Sequence, residues 1–321
     1  MSNTTPTPQP ALSMPLVAQA GAHPVPALNV PGADAQAMPA STAATADAQA
    51  SVAMVPAQAS SHVTAMPWRD WRSATPARIA LGRAGVSIPT DEALRFGLAH
   101  ASARDAIHTP LDTATLQAEL EQMGHAVVLT HSRSSDRTTY LRRPDLGRQL
   151  QASDSDTLRA LAASRQQAPD IALVIGDGLS SLAVQRHAAP LLAALLPLLA
   201  PGTQLAPVVV VQQARVAVAD DVGEALKARL SVILIGERPG LSSPDSLGIY
   251  LTYAPRRGRH DAERNCISNV RPEGLSYAAA AHKLAWLIAQ ALQLGQSGIA
   301  LKDESEGVPP IAPPAGAAAR I

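Results

Sequence analysis

The rhythm of apolar and polar positions changes about halfway along the chain. Residues 171–175, 208–211 and 232–235 are unbroken apolar runs, Ile-Ala-Leu-Val-Ile, Val-Val-Val-Val and Val-Ile-Leu-Ile. Runs of this length suit strands buried on both faces of a sheet. Each leads into a polar loop and then a helix or return segment, and short right-handed crossovers make a parallel sheet the natural solution. The last run is cut off by Gly236 and followed at once by Glu237, Arg238, Pro239 and Gly240. In open α/β sheets, ligands sit at loops leaving the carboxyl ends of strands. The pattern therefore predicts an α/β fold with a mainly parallel sheet and flanking helices, and a ligand near Glu237.

Before this alternation the spacing is mostly helical. Trp68 and Trp71 share one helical face and read as the docking edge of a first helix. Thr90, followed by Asp91 and Glu92, reads as the cap of a helix running to about Ile107. Residues 112–123 have a helical period, 126–130 read as a short strand, and 138–141 as its hairpin partner. The basic run 142–150 turns into another helix, with Pro144 in its first turn. Further on, Ser180 or Ser181 caps a helix through His187, 191–199 reads as a separate helical segment after Pro190, and Asp220 and Asp221 mark a helix start. Residues 247–253 alternate as a fourth strand, a basic loop covers 255–260, and 277–294 form a long helix ended by Gly295. Four stretches result: a disordered tether (1–65), a mostly helical region (66–165), the sheet domain (166–300) and a frayed, proline-rich tail (301–321).

Composition narrows this picture. The first stretch is nearly all Ala, Pro, Thr, Ser, Gln and Val, too poor in large apolar groups to offset its ordering entropy. With 26 basic and 26 acidic side chains, no bulk attraction to nucleic acid or acidic lipid is expected. A single cysteine, Cys266, excludes an internal disulfide and fits a reducing compartment, so a cytoplasmic setting is expected. The N-terminus has neither the basic start nor the apolar core of a secretory signal. Residues 191–199 are far short of the roughly 20 needed to span a bilayer.

Chemical motifs are sparse. There is no Gly-x-Ser-x-Gly elbow, no His-Glu-x-x-His and no phosphate-binding loop. Gly82-Arg83-Ala84-Gly85 could approach an anion but reads better as a turn, and Gly176-Asp177-Gly178 is a weak ligand-loop signal. Cys266 reads as a lone buried thiol that packs as a small apolar residue. No catalytic residue and no metal ligand is assigned. The residues alone support an α/β module that binds a polar ligand or caps a partner's site, with a free-standing nucleotide- or sugar-binding Rossmann-type module as the alternative.

A resemblance goes further. Ala77-Arg-Ile-Ala-Leu-Gly-Arg-Ala-Gly85, Leu94-Arg-Phe96, Leu141-Arg-Arg-Pro-Asp-Leu-Gly-Arg148, Asp177-Gly-Leu-Ser180, Gly236-Glu-Arg-Pro-Gly-Leu241 and Cys266-Ile-Ser-Asn269 occur in this order, between Trp68 and Ala300. In these segments the chain resembles the small subunits of ethanolamine ammonia-lyase. The resemblance implies a Rossmann-like subunit that encloses adenosylcobalamin at the interface with a large catalytic subunit, in a higher hetero-oligomer that deaminates ethanolamine to acetaldehyde and ammonia. It implies corrinoid contacts at Val216, Glu237 and Cys266, and a cytoplasmic or microcompartment location. The segments 242–246 and 256–259 depart from the pattern. Asp-x-His-x-x-Gly is absent from the sequence, so the cofactor's own base is expected to stay on cobalt.

Overall fold

The computed structural model describes residues 62–307, all within one compact unit. The readings of residues 1–61 and 308–321 as tether and tail lie outside these. Thr64, near the end of the stretch read as tether, exchanges backbone hydrogen bonds of 2.7 and 3.0 Å with Arg83.

Six strands form one sheet in the order β1-β3-β2-β4-β5-β6. They are β1 (Val127–His131), β2 (Ile171–Gly176), β3 (Val208–Gln212), β4 (Leu230–Gly236), β5 (Leu247–Tyr253) and β6 (Arg264–Val270). The first four are mutually parallel, and β5 and β6 run antiparallel at one edge. The expectation of a mainly parallel sheet is thus corrected to a mixed one. The cause is the connection: residues 237–246 contain no helix to carry the chain back across the sheet, so β5 returns directly beside β4. The sequence pattern assigns no element to the residues of β6. Its polar side chains hide it, since only Arg264, Ile267 and Val270 are buried and the pairing with β5 shifts register near Leu247.

The helices are α1 (Thr90–His108), α2 (Thr113–Gln122), α3 (Arg137–Arg142), α4 (Ala152–Ser164), α5 (Ser181–Leu195), α6 (Val218–Ala225) and α7 (Tyr277–Leu294). On one face of the sheet Ile171, Leu173, Val232, Leu234, Ile249 and Leu251 pack with residues of α2, α5 and α7. On the other, Ala172, Val174, Val209, Ile233 and Ile235 pack with residues of α4 and α6. This two-residue alternation is the pleat of strands covered on both sides.

Several local expectations change. Residues 138–141 are not a hairpin strand but part of α3, because Asp136 caps it, accepting from Thr139 N at 2.9 Å and Thr139 Oγ1 at 2.8 Å. These bonds hold the Asp136 carboxyl down at about 2. Thr90 lies inside α1, and Pro89 occupies the cap position without a side-chain bond. The run 142–150 makes only a short 3-10 turn at Leu146–Arg148. Pro190 sits inside α5 rather than starting a new helix; buried Ala188, Leu191, Leu192 and Leu195 on either side outweigh its lost amide. Trp68 and Trp71 are exposed, so they are not a docking edge within this chain. Leu301 and Ser305 are buried, so the tail packs at least that far. Among the described residues no single helix is long and apolar enough to cross a membrane.

Candidate functional site

The carboxyl ends of β2, β3 and β4 lie side by side, and their loops touch. Gly178, with φ of +60°, and Gly236 allow this: a Cβ on Gly178 would stand 2.2 Å from Gly236 O, and one on Gly236 would stand 2.0 Å from Ser180 O. Leu179 N donates to Gly236 O at 3.0 Å across the same approach. The glycines noted in the sequence therefore serve loop-to-loop packing.

Asp177 ties the β2 loop to the β3 loop. Its buried carboxylate accepts from Gln213 N at 2.9 Å and Ala214 N at 2.8 Å, and the Arg137 guanidinium lies 3.5 Å away. Burial pushes the Asp177 carboxyl up, while the amides and Arg137 pull it back. Arg137 also donates to Ile107 O at 2.7 Å and Gly178 O at 2.8 Å, joining α1, α3 and the β2 loop. Tyr140 is fully buried between two guanidiniums, Arg137 at 4.6 Å and Arg215 at 4.2 Å from its ring centre, and donates to Ala214 O at 3.0 Å. Burial pushes its phenol up, keeping the donor proton in place. Together these groups fix residues 213–216, where Gln213 takes a φ of +55°. Sequence reasoning missed Arg137 and Tyr140, because their partners are remote in the chain.

Val216, at the end of this loop, is half-buried against the α4/α6 apolar layer, as is Tyr250 of β5. Glu237 follows β4. Its carboxylate accepts from Ser246 Oγ, and Asn269 N lies 3.3 and 3.4 Å from its two oxygens. The backbone secures it too, since Glu237 N donates to Ser246 O at 2.9 Å. Cys266 pairs in register with Tyr250 and is exposed, its Sγ 3.3 Å from Ser268 Oγ. The expectation of a buried, packing thiol is corrected: Cys266 lies on an edge strand, and its side chain is on the surface. Burial first, then neighbouring Cys266 and Glu237, push the Tyr250 phenol up. The fold thus brings Glu237, Tyr250 and Cys266 together, while Val216 shares only their side of the sheet. Tyr250 was not picked out by sequence, although the alternation of 247–253 places it opposite Ile249 and Leu251.

The other sequence candidates fall elsewhere. Gly82 packs against Thr64, and Ala84 and Ser87 close the turn that follows with mutual backbone bonds. In the basic run, Arg143 pairs with Asp145, and Gly147 O accepts from Arg215 N at 2.8 Å. Among the described residues no three His, Cys, Asp or Glu side chains are grouped to hold a metal ion.

A mixed sheet covered by helices on both faces, with a carboxylate, a phenol and a thiol brought near one another at the end of β4 and on β5 and β6, defines an α/β protein with a candidate polar site. A family model described as ethanolamine ammonia-lyase light chain (EutC) matches residues 65–302. The ethanolamine ammonia-lyase small subunit of Ralstonia nicotianae is 61% identical over 245 residues, 76% of this chain and 91% of the relative. That of Azotobacter vinelandii is 58% identical over 247 residues, 77% and 92% of the two chains. The Xanthomonas campestris pv. campestris protein of the same name is 57% identical over 240 residues, 74% and 88%. The chain belongs to the ethanolamine ammonia-lyase light-chain family. It is the small-subunit component of a lyase, and the free-standing nucleotide- or sugar-binding module has no support from these relatives.

Proposed function

We propose that this chain encloses adenosylcobalamin at its interface with a large subunit that deaminates ethanolamine to acetaldehyde and ammonia, with Val216, Glu237 and Cys266 facing the corrinoid. The observation that carries the reading is the Glu237 carboxylate, held half-buried by Ser246 and Asn269 beside Tyr250 and the exposed Cys266. The chemistry of this set fits the group: a corrinoid's periphery carries amide N–H donors, which a fixed carboxylate accepts, and apolar edges, against which Val216 packs. When bound, the cofactor supplies the radical through homolysis of its cobalt–carbon bond. The residues of this chain bind, orient and exclude water; the substrate's reacting atoms belong to the large subunit's cavity in this reading. The cytoplasm, or a microcompartment within it, is the proposed setting.

Glu237→Gln tests this. It keeps the shape and one acceptor while removing the charge, so the assembled complex should bind adenosylcobalamin more weakly by about 1.5–3 kcal/mol, with turnover at saturating cofactor largely kept. Unchanged affinity in a binding titration would remove Glu237 from the corrinoid site. A large fall in saturated turnover at unchanged affinity would instead make it a catalytic residue.

A further inference from the structure

α1 is an unusual surface helix. Over Thr90–His108 only Glu92 and Ala106 are buried, whereas Leu94, Phe96 and Leu98 are 69%, 49% and 71% exposed. A helix of this length normally turns an apolar stripe to its own core; this one is tied mainly by polar contacts at its two ends, Glu92 to Arg72 at 2.8 Å in the first turn, and at the other end Ile107 O accepting from Arg137 and Thr109 O from Ser181 Oγ. Between its second half and the loops after β2, β3 and β4 lies a groove of about 520 Å³. Apolar groups, Ile107, Leu179 and Pro239 among them, line it together with His100, Arg104, Arg215 and Arg238, and no carboxylate does.

The three arginines are not neutralised by a carboxylate within the described residues. Among the described residues, the side chains of Arg104 and Arg238 make no ion pair or hydrogen bond, and the Arg215 guanidinium reaches only Tyr140 O at 3.3 Å while its buried Nε has no acceptor. Phe96 extends the groove outward, its ring stacked with His100 at 6.4 Å and beneath the Arg78 guanidinium at 5.9 Å. Arg78 also reaches Leu241 O at 3.4 Å, which closes the surface between α1 and the loop after β4. The surface is continuous with the candidate site, because Arg215 precedes Val216 and Arg238 follows Glu237.

We infer that the α1 face and its basic groove are the docking surface for the large subunit, which presents a segment carrying carboxylates flanked by apolar side chains. The proposal rests on the family reading, which supplies the partner. It is carried by charge complementarity: cations converge on apolar walls with no acid of their own, and interfaces pair such patches with the opposite sign. A partner seated here would cover the loop-bearing end of the sheet, where water must be kept from the chemistry.

The test uses the full chain co-expressed with the large subunit, without cofactor. Arg104 and Arg238 are exposed, so Arg104→Glu combined with Arg238→Glu should leave the fold intact, as circular dichroism and thermal unfolding of the purified chain would show. Dissociation of the complex, followed by sedimentation across a salt series, should be roughly tenfold easier or more, and less salt-dependent, than for the unaltered pair. The double Gln variant should fall between them, and Phe96→Ser should weaken assembly without changing its salt slope. Unchanged assembly in the double Glu variant overturns the proposal. So does intact assembly with lost corrinoid affinity, which would give the groove's anion to the cofactor. If Glu237→Gln leaves corrinoid binding unchanged while the double Glu variant fails to assemble, the docking surface stands and the corrinoid assignment falls.

Discussion

The two faces of the sheet are built differently. On the α5/α7 face the interior is apolar throughout its centre: Leu191, Leu192 and Leu195 of α5 and Leu284, Leu287 and Ile288 of α7 are all at most 3% exposed. On the α4/α6 face the apolar layer is smaller and gives way to ions toward β5 and β6. Arg264 Nη1 lies 2.8 Å from Asp220 and 3.2 Å from Thr252 Oγ1, and its other end donates to Arg259 O. Asp221 accepts from Arg257 and from Leu150 N at 3.0 Å. Beyond them stand Tyr250, Cys266 and Glu237. The first face provides stability by burial; the second carries polar groups held by paired charges whose desolvation offsets much of their attraction, and the proposed corrinoid contacts lie beside them.

This contrast can be broken most directly at Arg264. Arg264→Ala abandons a buried carboxylate and should cost about 4 kcal/mol. Burial already pushes the Asp220 carboxyl from its ordinary 3.8 up to about 6, against the pull of Arg264. A group that binds its proton more tightly when folded contributes stability that is full below pH 4 and is lost as pH rises through about 6. Without Arg264 the carboxyl rises further, so the penalty should be largest at pH 8 and shrink toward pH 5. Urea unfolding at the two pH values checks it; an equal penalty at both would show that Asp220 is not the group left behind.

On the other face, Leu284→Ala should cost about 3 kcal/mol, with no change in that penalty between pH 5 and 8. A pH-dependent penalty here would erase the distinction between the faces. Tyr140→Phe removes the donor to Ala214 O while leaving the ring between its guanidiniums; it should destabilise by about 1 kcal/mol and weaken corrinoid binding through residues 213–216. Unchanged binding with lost stability would make Tyr140 a structural residue only. The smallest effect belongs to Cys266→Ser: an exposed edge-strand site should change stability by less than about 0.5 kcal/mol, with assembly and saturated turnover retained. A loss of turnover with cofactor still bound would mean that the thiol takes part in the chemistry.

Much of the sheet was legible because β2, β3 and β4 carry continuous apolar runs, and α7 ends at Gly295, whose φ is +69°. Glu237 was legible for the same reason: an apolar run broken by glycine and followed by charge marks a strand end with a polar loop. β6 was not, since an edge strand with one covered face and polar residues on the other resembles a loop. Asp220 and Asp221 were read as favourable charges at a helix start, and they do lie in the first turn of α6. Their ion pairs with Arg264 and Arg257 lie more than thirty positions away and had no local signature.

The sequence alone determined the buried strands, the long C-terminal helix, the loop that carries Glu237 and membership of the family, because each rests on short-range periodicity, on a chain-breaking residue or on ordered local motifs. Tertiary structure decided the direction of β5, the pairing of Tyr250 with Cys266, the exposure of that thiol, and the clamp of Arg137, Tyr140 and Asp177 on residues 213–216. These depend on strand register and on contacts between distant segments. Such contacts form only after the chain has closed on itself, and no local pattern encodes which partners then meet.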